Sequence, residues 1–414
     1  MRGRWRNDAR MRFDVDEGFS WAWRALAGAA VCLLCGCASR PGRVPLPTGQ
    51  ADFAQYRDDA RAWLAANRDF QSGDRAAELD WNAPREWRPP SGAGATPPRG
   101  GVLLVHGLGD SPFSLADIGA ELARRGWLAR TLLLPGHGGE PADLLRARAG
   151  DWRRLVAEQT RLLEADAGAG PVFLGGFSTG ANLALAVAAD DGRVAGLLLF
   201  SPAFKAVSRH AWAAGWLAPF KPWLRKPVAG RSRQSPVRYT DVPTNGFAQF
   251  HRTSVWARAA LRRRGFGRPA LLVVAERDSV VDVRRVAELF AKRFTHPASR
   301  LVWYGMNPPE SGDARIVARA DYLPDMRISN FSHMGVLFSP ENPLYGLGGA
   351  LPVWRNGQGA DAEHRRAAGE PVWYSAWGYR EPGKVHARLT FNPYFDWQLD
   401  LAESVMQAAE AARQ

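Results

Sequence analysis

Short continuous apolar runs alternate with amphipathic stretches through most of this chain. Residues 101–105, 128–134, 171–175, 194–200, 270–274 and 300–304 are each of strand length. An unbroken apolar run between glycine, proline or polar residues predicts a strand buried on both faces of a sheet. Helical stretches fall between these runs: 111–125, with Ser111 as N-cap and Pro112 at the first helical position, 151–165, the alanine-rich segment through Ala189, and 283–294. Further helices are predicted upstream, where Phe53, Tyr56, Ala60, Trp63 and Leu64 share one face, and at 396–411, where Leu399, Leu401, Val405, Met406 and Ala409 do. This β-α alternation predicts a mainly parallel central sheet with helices on both faces.

A chain of 414 residues with 46% apolar composition can bury one large core and carry insertions. The connection from Lys205 to Arg264 is far longer than a crossover helix needs, and its position and size are those of a cap. The chain therefore divides into a leader (1–36), a tether with an N-terminal helix (37–75), core (76–204), cap (205–264), and a second part of the core with a C-terminal extension (265–414). Charge sharpens the picture: the formal net charge is +13, and residues 205–264 hold three Lys and ten Arg against a single acid, Asp241, a net of +12. With Trp212, Trp216, Trp223 and Trp256 interleaved, this cap suits anionic lipid headgroups, though a solvated basic face or a site for acidic substrates fits the same residues. Trp212, Trp216, Leu217, Phe220, Trp223 and Phe250 form an apolar set suited to acyl chains, or simply the aromatic content a cap buries in order to fold.

At the N-terminus Arg24 precedes an apolar run that ends in Leu34-Cys35-Gly36-Cys37, too short to span a bilayer and laid out like an export signal. Small residues before a cysteine resemble the bacterial lipobox, and that resemblance implies that Cys37 is acylated and begins the mature chain. Ala38 after the cysteine implies the outer membrane, facing the periplasm. Asp8, Asp14, Asp16 and Glu17 are unusual in such a leader, and Met11 is a candidate alternative start. The three cysteines, Cys32, Cys35 and Cys37, all lie here, so a disulfide framework is excluded.

The chemistry centres on Gly176-Phe-Ser-Thr-Gly180, where an apolar strand meets a helix. A hydroxyl becomes a useful nucleophile when it is held in the open, next to a base and facing donors for a developing oxyanion. Glycines at 176 and 180 allow the sharp strand-to-helix turn that presents Ser178 in this way. Upstream, another strand ends in His106-Gly-Leu-Gly109.

These segments, with Leu104-Val-His-Gly-Leu-Gly-Asp-Ser-Pro112, Leu134-Pro-Gly-His-Gly138, Glu276-Arg-Asp278 and Ser332-His-Met-Gly335, closely resemble the α/β-hydrolase family, especially bacterial carboxylesterases and monoacylglycerol lipases. The resemblance covers most of residues 100–340. It implies the α/β-hydrolase fold and backbone oxyanion donors at Leu108 and Thr179. For the acid, Asp278 and Asp282 compete; Asp282 begins a helix, where a carboxylate has a capping role, while Asp278 lies in the turn and matches the family acid. Glu276 reads as a loop residue. The base must follow the acid in the chain, which leaves His296, His333, His364 and His386, and His333 matches the family base. His106 and His137 read as loop braces.

The expected function is hydrolysis of acyl or lipid-type esters through an acyl-enzyme, with no cofactor, no metal and no nucleic-acid partner. Amide or peptide hydrolysis by the same triad, and a lipid-anchored binding or envelope protein without turnover, remain the alternatives.

Overall fold

The computed structural model describes residues 45–90, 97–225 and 232–411, and residues 45–414 make up one compact unit. The leader and the proposed acylation site at Cys37 lie outside the described residues. In chain order the elements are α1 (Phe53–Asn67), α2 (Arg75–Asn82), β1 (Glu86–Trp87), β2 (Gly101–Val105), α3 (Ala116–Arg124), β3 (Leu128–Leu132), α4 (Ala149–Asp166), β4 (Val172–Phe177), α5 (Thr179–Ala188) and β5 (Val194–Phe200). The inserted segment follows, with α6 (Ala214–Leu217), the hairpin β6 (Gln234–Ser235) and β7 (Arg238–Tyr239), and the long α7 (Thr244–Arg264). Then come β8 (Ala270–Ala275), α8 (Val283–Arg293), β9 (Arg300–Tyr304), β10 (Ile316–Arg319), α9 (Ala360–Ala367), β11 (Val372–Ser375), β12 (Val385–Arg388) and α10 (Phe395–Ala411).

Eight strands form one sheet in the order β1-β3-β2-β4-β5-β8-β9-β10, parallel except for the edge strand β1. Side chains alternate across a strand, so Leu103 and Val105 enter the core beneath α4, α5, α7 and α8, while Val102 and Leu104 enter the one beneath α3 and α10. All five residues of β2 are buried, which is why it reads as an unbroken apolar run.

Four features differ from the sequence reading. The edge strands β1 and β10 and helix α2 carry too little apolar pattern to be seen in advance. The helix predicted from Ser111 starts as a 3-10 turn, Pro112–Leu115, and the Ser111 hydroxyl donates to Val237 O at 2.7 Å instead of capping it. The last third of the cap segment, α7, is a flanking helix of the core: Phe250, Ala257 and Leu261 are buried in the main cluster, and Ser254 and Thr253 meet the Asn182 amide of α5. Of the apolar set Trp212, Trp216, Leu217, Phe220, Trp223 and Phe250, only Phe250 is buried; Trp212, Trp216, Leu217 and Phe220 are exposed.

Two buried polar knots fix the loops at the C-terminal edge of the sheet. Arg68, just past α1, is paired with Glu78 of α2 at 2.8 Å with both side chains almost fully buried. Arg68 also donates to Gly138 O and to Ser235 O and Pro236 O of the hairpin, while Glu78 accepts from the backbone amides of Gln71 and Ser72. The N-terminal helices are thereby tied to the loop after β3 and to the inserted hairpin at one point.

The second knot is a pair of buried histidines. His106 Nε2 accepts from the Leu134 amide and His137 Nε2 accepts from the Gly109 amide, each at 3.0 Å, with the rings edge to face 4.8 Å apart. An Nε2 that accepts carries no proton, so both rings work only when neutral. Burial pushes His106 down to about 4; burial and the neighbouring His106 push His137 well below the usual histidine range.

Breaking the first knot leaves a charge buried without its counterion. Glu78→Leu should cost about 3–5 kcal/mol, and Arg68→Met/Glu78→Leu should recover part of that loss in a denaturant titration. For the histidines, the unfolded chain takes up protons as pH falls below about 6.5, while the folded chain resists until much lower pH. Their contribution is therefore complete above about pH 6.5 and lost as pH falls towards about 4, on the order of 3 kcal/mol for His106. A His106→Gln/His137→Gln protein should be less stable at pH 8 and lose less of its stability on acidification. An unchanged pH slope over this window would show that the pair does not act as neutral braces.

Candidate active site

The turn between β4 and α5 is forced by two close approaches. A side chain on Gly180 would place a Cβ 2.0 Å from Val105 O, and one on Gly176 would place it 2.5 Å from the Gly180 carbonyl carbon. With both positions reduced to hydrogen, Ser178 takes φ 54°, a left-handed conformation that costs a non-glycine residue about 1–3 kcal/mol. Its amide donates to Phe200 O at 2.9 Å and its carbonyl accepts from Asn182 and Ala203, so the strain is held from both neighbouring elements. The sharp turn read from the two glycines is the one observed.

Asp278 follows β8 and has no exposed side-chain surface. One carboxylate oxygen accepts from the Val280 and Val281 amides at 2.7 and 2.9 Å; the other lies 2.6 Å from His333 Nδ1. Both oxygens are thus committed, and the imidazole is fixed with Nε2 turned away from the carboxylate. The His333 ring also lies 4.8 Å from that of Phe177, the residue before Ser178, and its carbonyl accepts from Ser201 Oγ at 2.9 Å. Asp278 and His333 are therefore in contact, and the His333 ring packs on Phe177, the neighbour of Ser178, while no hydrogen bond joins Ser178 to His333 among the described residues. Such contacts are commonly long before substrate binds.

The amides of Leu108 and Thr179 have no protein acceptor among the described residues. Gly109, directly after Leu108, donates to His137, and its carbonyl accepts from the Tyr239 amide of the hairpin at 2.6 Å. Thr179 is the first residue of α5, so its free N–H stands at the positive end of that helix.

The competing candidates are all placed elsewhere. Asp282 caps α8, accepting from the Arg285 amide, and pairs with Lys205. Glu276 accepts twice from Asn307. His296 accepts from the Ala298 amide at the far end of the sheet, His364 is exposed on α9, and His386 is buried against Ser329.

Two features escape a reading by motif. Asp110, the residue after Gly109, is half-buried, and its loss of hydration pushes its carboxyl up to about 6 against the pull of Arg238 and His333. The loop carrying His333 is held by the C-terminal extension: Ser332 Oγ donates to Leu389 O and accepts from the Met334 and Gly335 amides, and Ser329 and Asn330 bond to Tyr374 and Ala376 around β11. No spacing in the sequence connects residue 332 with residue 389.

Comparison with known proteins agrees with this architecture. The family model Hydrolase_4, described as serine aminopeptidase, S33, matches residues 96–305, half of the chain, and takes in Ser178 and Asp278 but not His333. The chain is similar to the thermostable monoacylglycerol lipase of Bacillus sp. (strain H-257), with 29% identity over 185 residues, 44% of this chain and 71% of the relative. Among solved structures it is similar to one of the metagenome-derived lipolytic enzymes LipS and LipT, at 24% identity and TM-score 0.46 over 54% of this chain and 86% of that one. It is also similar to a soluble variant of monoglyceride lipase from Saccharomyces cerevisiae, at 16% identity and TM-score 0.43 over 57% and 85%. With half of its sequence matched and its parallel sheet ordered as described, this chain is a hydrolase of the α/β-hydrolase fold and belongs to the Hydrolase_4 (serine aminopeptidase, S33) family.

Proposed function

We propose that the protein is a serine hydrolase that cleaves carboxylic esters of acyl or lipid type, with Ser178 as nucleophile, His333 as base and Asp278 as the residue that orients it. The observation that carries this reading is the 2.6 Å contact between His333 Nδ1 and Asp278 Oδ2 beside the strained turn at Ser178. With Nδ1–H directed at Asp278, Nε2 is free to take the Ser178 proton as Oγ attacks the ester carbonyl. The oxyanion is received by the Leu108 and Thr179 amides; His333 then protonates the leaving alcohol. Water, deprotonated by the same nitrogen, releases the acid and restores Ser178. Ester substrates of lipid type are supported by the similarity to a monoacylglycerol lipase. Amide hydrolysis by the same residues is a second reading, favoured by the description of the family as serine aminopeptidases.

The N-terminal segment supports a further proposal, that the mature chain begins at an acylated Cys37 and faces the periplasm from the outer membrane. The exposed Trp212, Trp216 and Phe220 on the basic cap segment would then lie toward lipid. One acyl chain alone gives marginal attachment, and a basic patch supplies the second signal.

Ser178→Ala should leave the urea midpoint unchanged, abolish labelling by a fluorophosphonate, and lower turnover of short acyl esters by about 10⁴-fold or more. Asp278→Asn should cost about 10⁴-fold, whereas Asp282→Asn should cost less than tenfold because its carboxylate caps a helix. Equal losses at the two aspartates would reassign the acid. Faster turnover of aminoacyl anilides than of esters by the parent protein would favour the amide reading. Mass spectrometry of membrane-extracted protein should find the acylated chain starting at Cys37; an unmodified N-terminus upstream of it would refute the anchor.

A further inference from the structure

The larger of the two described cavities, about 530 Å³, does not include Ser178, Asp278, His333, Leu108 or Thr179 in its lining. It lies between the first part of the inserted segment, one face of α7 and the start of α8. On α7 His251, Ser254, Arg258 and Arg262 follow one another at steps of three or four residues, so one helical stripe faces the cavity. Lys205 and Arg209 come from the segment after β5, and Arg285 from α8.

Five permanent cations thus face two carboxylates, and the carboxylates are already engaged. Asp282 accepts from Lys205 Nζ at 2.8 Å and from the Arg285 amide at 3.1 Å; Glu288 accepts from the Arg285 guanidinium at 2.8 Å. Arg209, Arg258 and Arg262 have no carboxylate partner among the described residues. Arg258 gives one N–H to Phe204 O, which leaves most of its five donors unused. Burial, Arg262 and Arg285 together hold Arg258 below the usual guanidinium range, a sign of like charges crowded into one place. Like charges one turn apart on a helix are destabilising unless something neutralises them. Trp212, at the rim, gives the same cavity an aromatic wall.

We propose that this cavity is a binding site for a phosphate group borne on an organic moiety, a phosphomonoester or phosphodiester. Three guanidiniums without a carboxylate partner around one space can surround the terminal oxygens of a phosphate, which arginine grips through paired N–H donors. The cavity is much larger than the ion, and Trp212 offers the remaining volume an apolar contact. The cavity shares no lining residue with Ser178, Asp278 or His333, so phosphate binding and ester hydrolysis are separable. The phosphate could be the headgroup of a membrane lipid or part of a soluble phosphoester, and the two sources are separable by experiment.

The test uses the full chain with inorganic phosphate and glycerol phosphate in thermal unfolding, and vesicles of phosphatidylcholine with or without phosphatidic acid in co-sedimentation. The parent should gain thermal stability in soluble phosphate, bind phosphatidic acid vesicles in excess of neutral ones, or do both. Stabilisation without excess vesicle binding identifies a soluble phosphoester, and excess vesicle binding without stabilisation identifies the headgroup. Arg209→Gln/Arg262→Gln, two side chains without a described structural bond, should weaken the effect by roughly tenfold or more. Arg258→Gln should do the same where it folds. Arg263→Gln/Arg264→Gln removes the same charge from α7 outside the cavity and should retain the effect. Fluorophosphonate labelling of Ser178 and ester turnover should be unchanged in every variant. The proposal is overturned if the parent responds to neither probe, or if the Arg263/Arg264 pair loses as much as the Arg209/Arg262 pair.

Discussion

The site depends on how closely β4, its turn and α5 can approach β2. At Gly180 there is room for a hydrogen and nothing more beside Val105 O, and at Gly176 the chain folds back on Gly180 itself. That proximity turns the chain sharply enough to leave Ser178 at positive φ with its side chain clear of the sheet. It also brings the start of α5, with the free Thr179 amide, alongside the loop that carries Leu108. A methyl group at either glycine would push strand and helix apart and with them the two halves of the oxyanion site. The strain of about 1–3 kcal/mol at Ser178 is maintained because the surrounding sheet, buried on both faces, cannot relax around it.

The remaining residues are assembled by hydrogen bonds among loops, each tied to something distant in sequence. The Leu108 loop is fixed through Gly109, which donates to His137 and accepts from Tyr239. The hairpin carrying Tyr239 is fixed in turn by Arg68, whose charge is balanced by Glu78. On the other side, the His333 loop hangs on Ser332, Ser329 and Asn330, bonded to the extension around β11 and β12. Asp278 needs no such support, because two amides of its own turn hold one oxygen and leave the other for His333. The N-terminal helices, the inserted hairpin and the C-terminal extension are therefore parts of the site's scaffold, although none supplies a reacting group.

What was legible in the sequence follows the range of the interaction. Buried parallel strands announce themselves as apolar runs, and β2, β5 and β9 begin and end where those runs do. The capping role of Asp282 was legible because a cap acts within three residues. β10, with two of its four residues exposed, is held by pairing to β9 rather than by burial, and so left no pattern. Ser111 had the chemistry of an N-cap, but a distant carbonyl took its hydroxyl. Arg68 and Glu78 are ordinary polar residues in the sequence; only the fold makes them buried partners. The histidines divide the same way: the order of the chain restricted the base to four, and geometry sets one of them on Asp278.

Charge explains why the inserted segment is built differently from its surroundings. Near the candidate triad Asp278 has its partner in His333, and the buried histidines His106 and His137 are held neutral. A low-dielectric site leaves no choice, since an unpaired charge there costs several kcal/mol. The face of α7 that meets Lys205, Arg209 and Arg285 lines an open cavity where water bears part of that cost, and there Arg209, Arg258 and Arg262 gather without a carboxylate partner among the described residues. The adjoining face of the same helix packs Phe250, Ala257 and Leu261 against the core. One helix thus carries a surface that must be neutral, where it packs on the core, and a surface that need not be, where it lines the cavity.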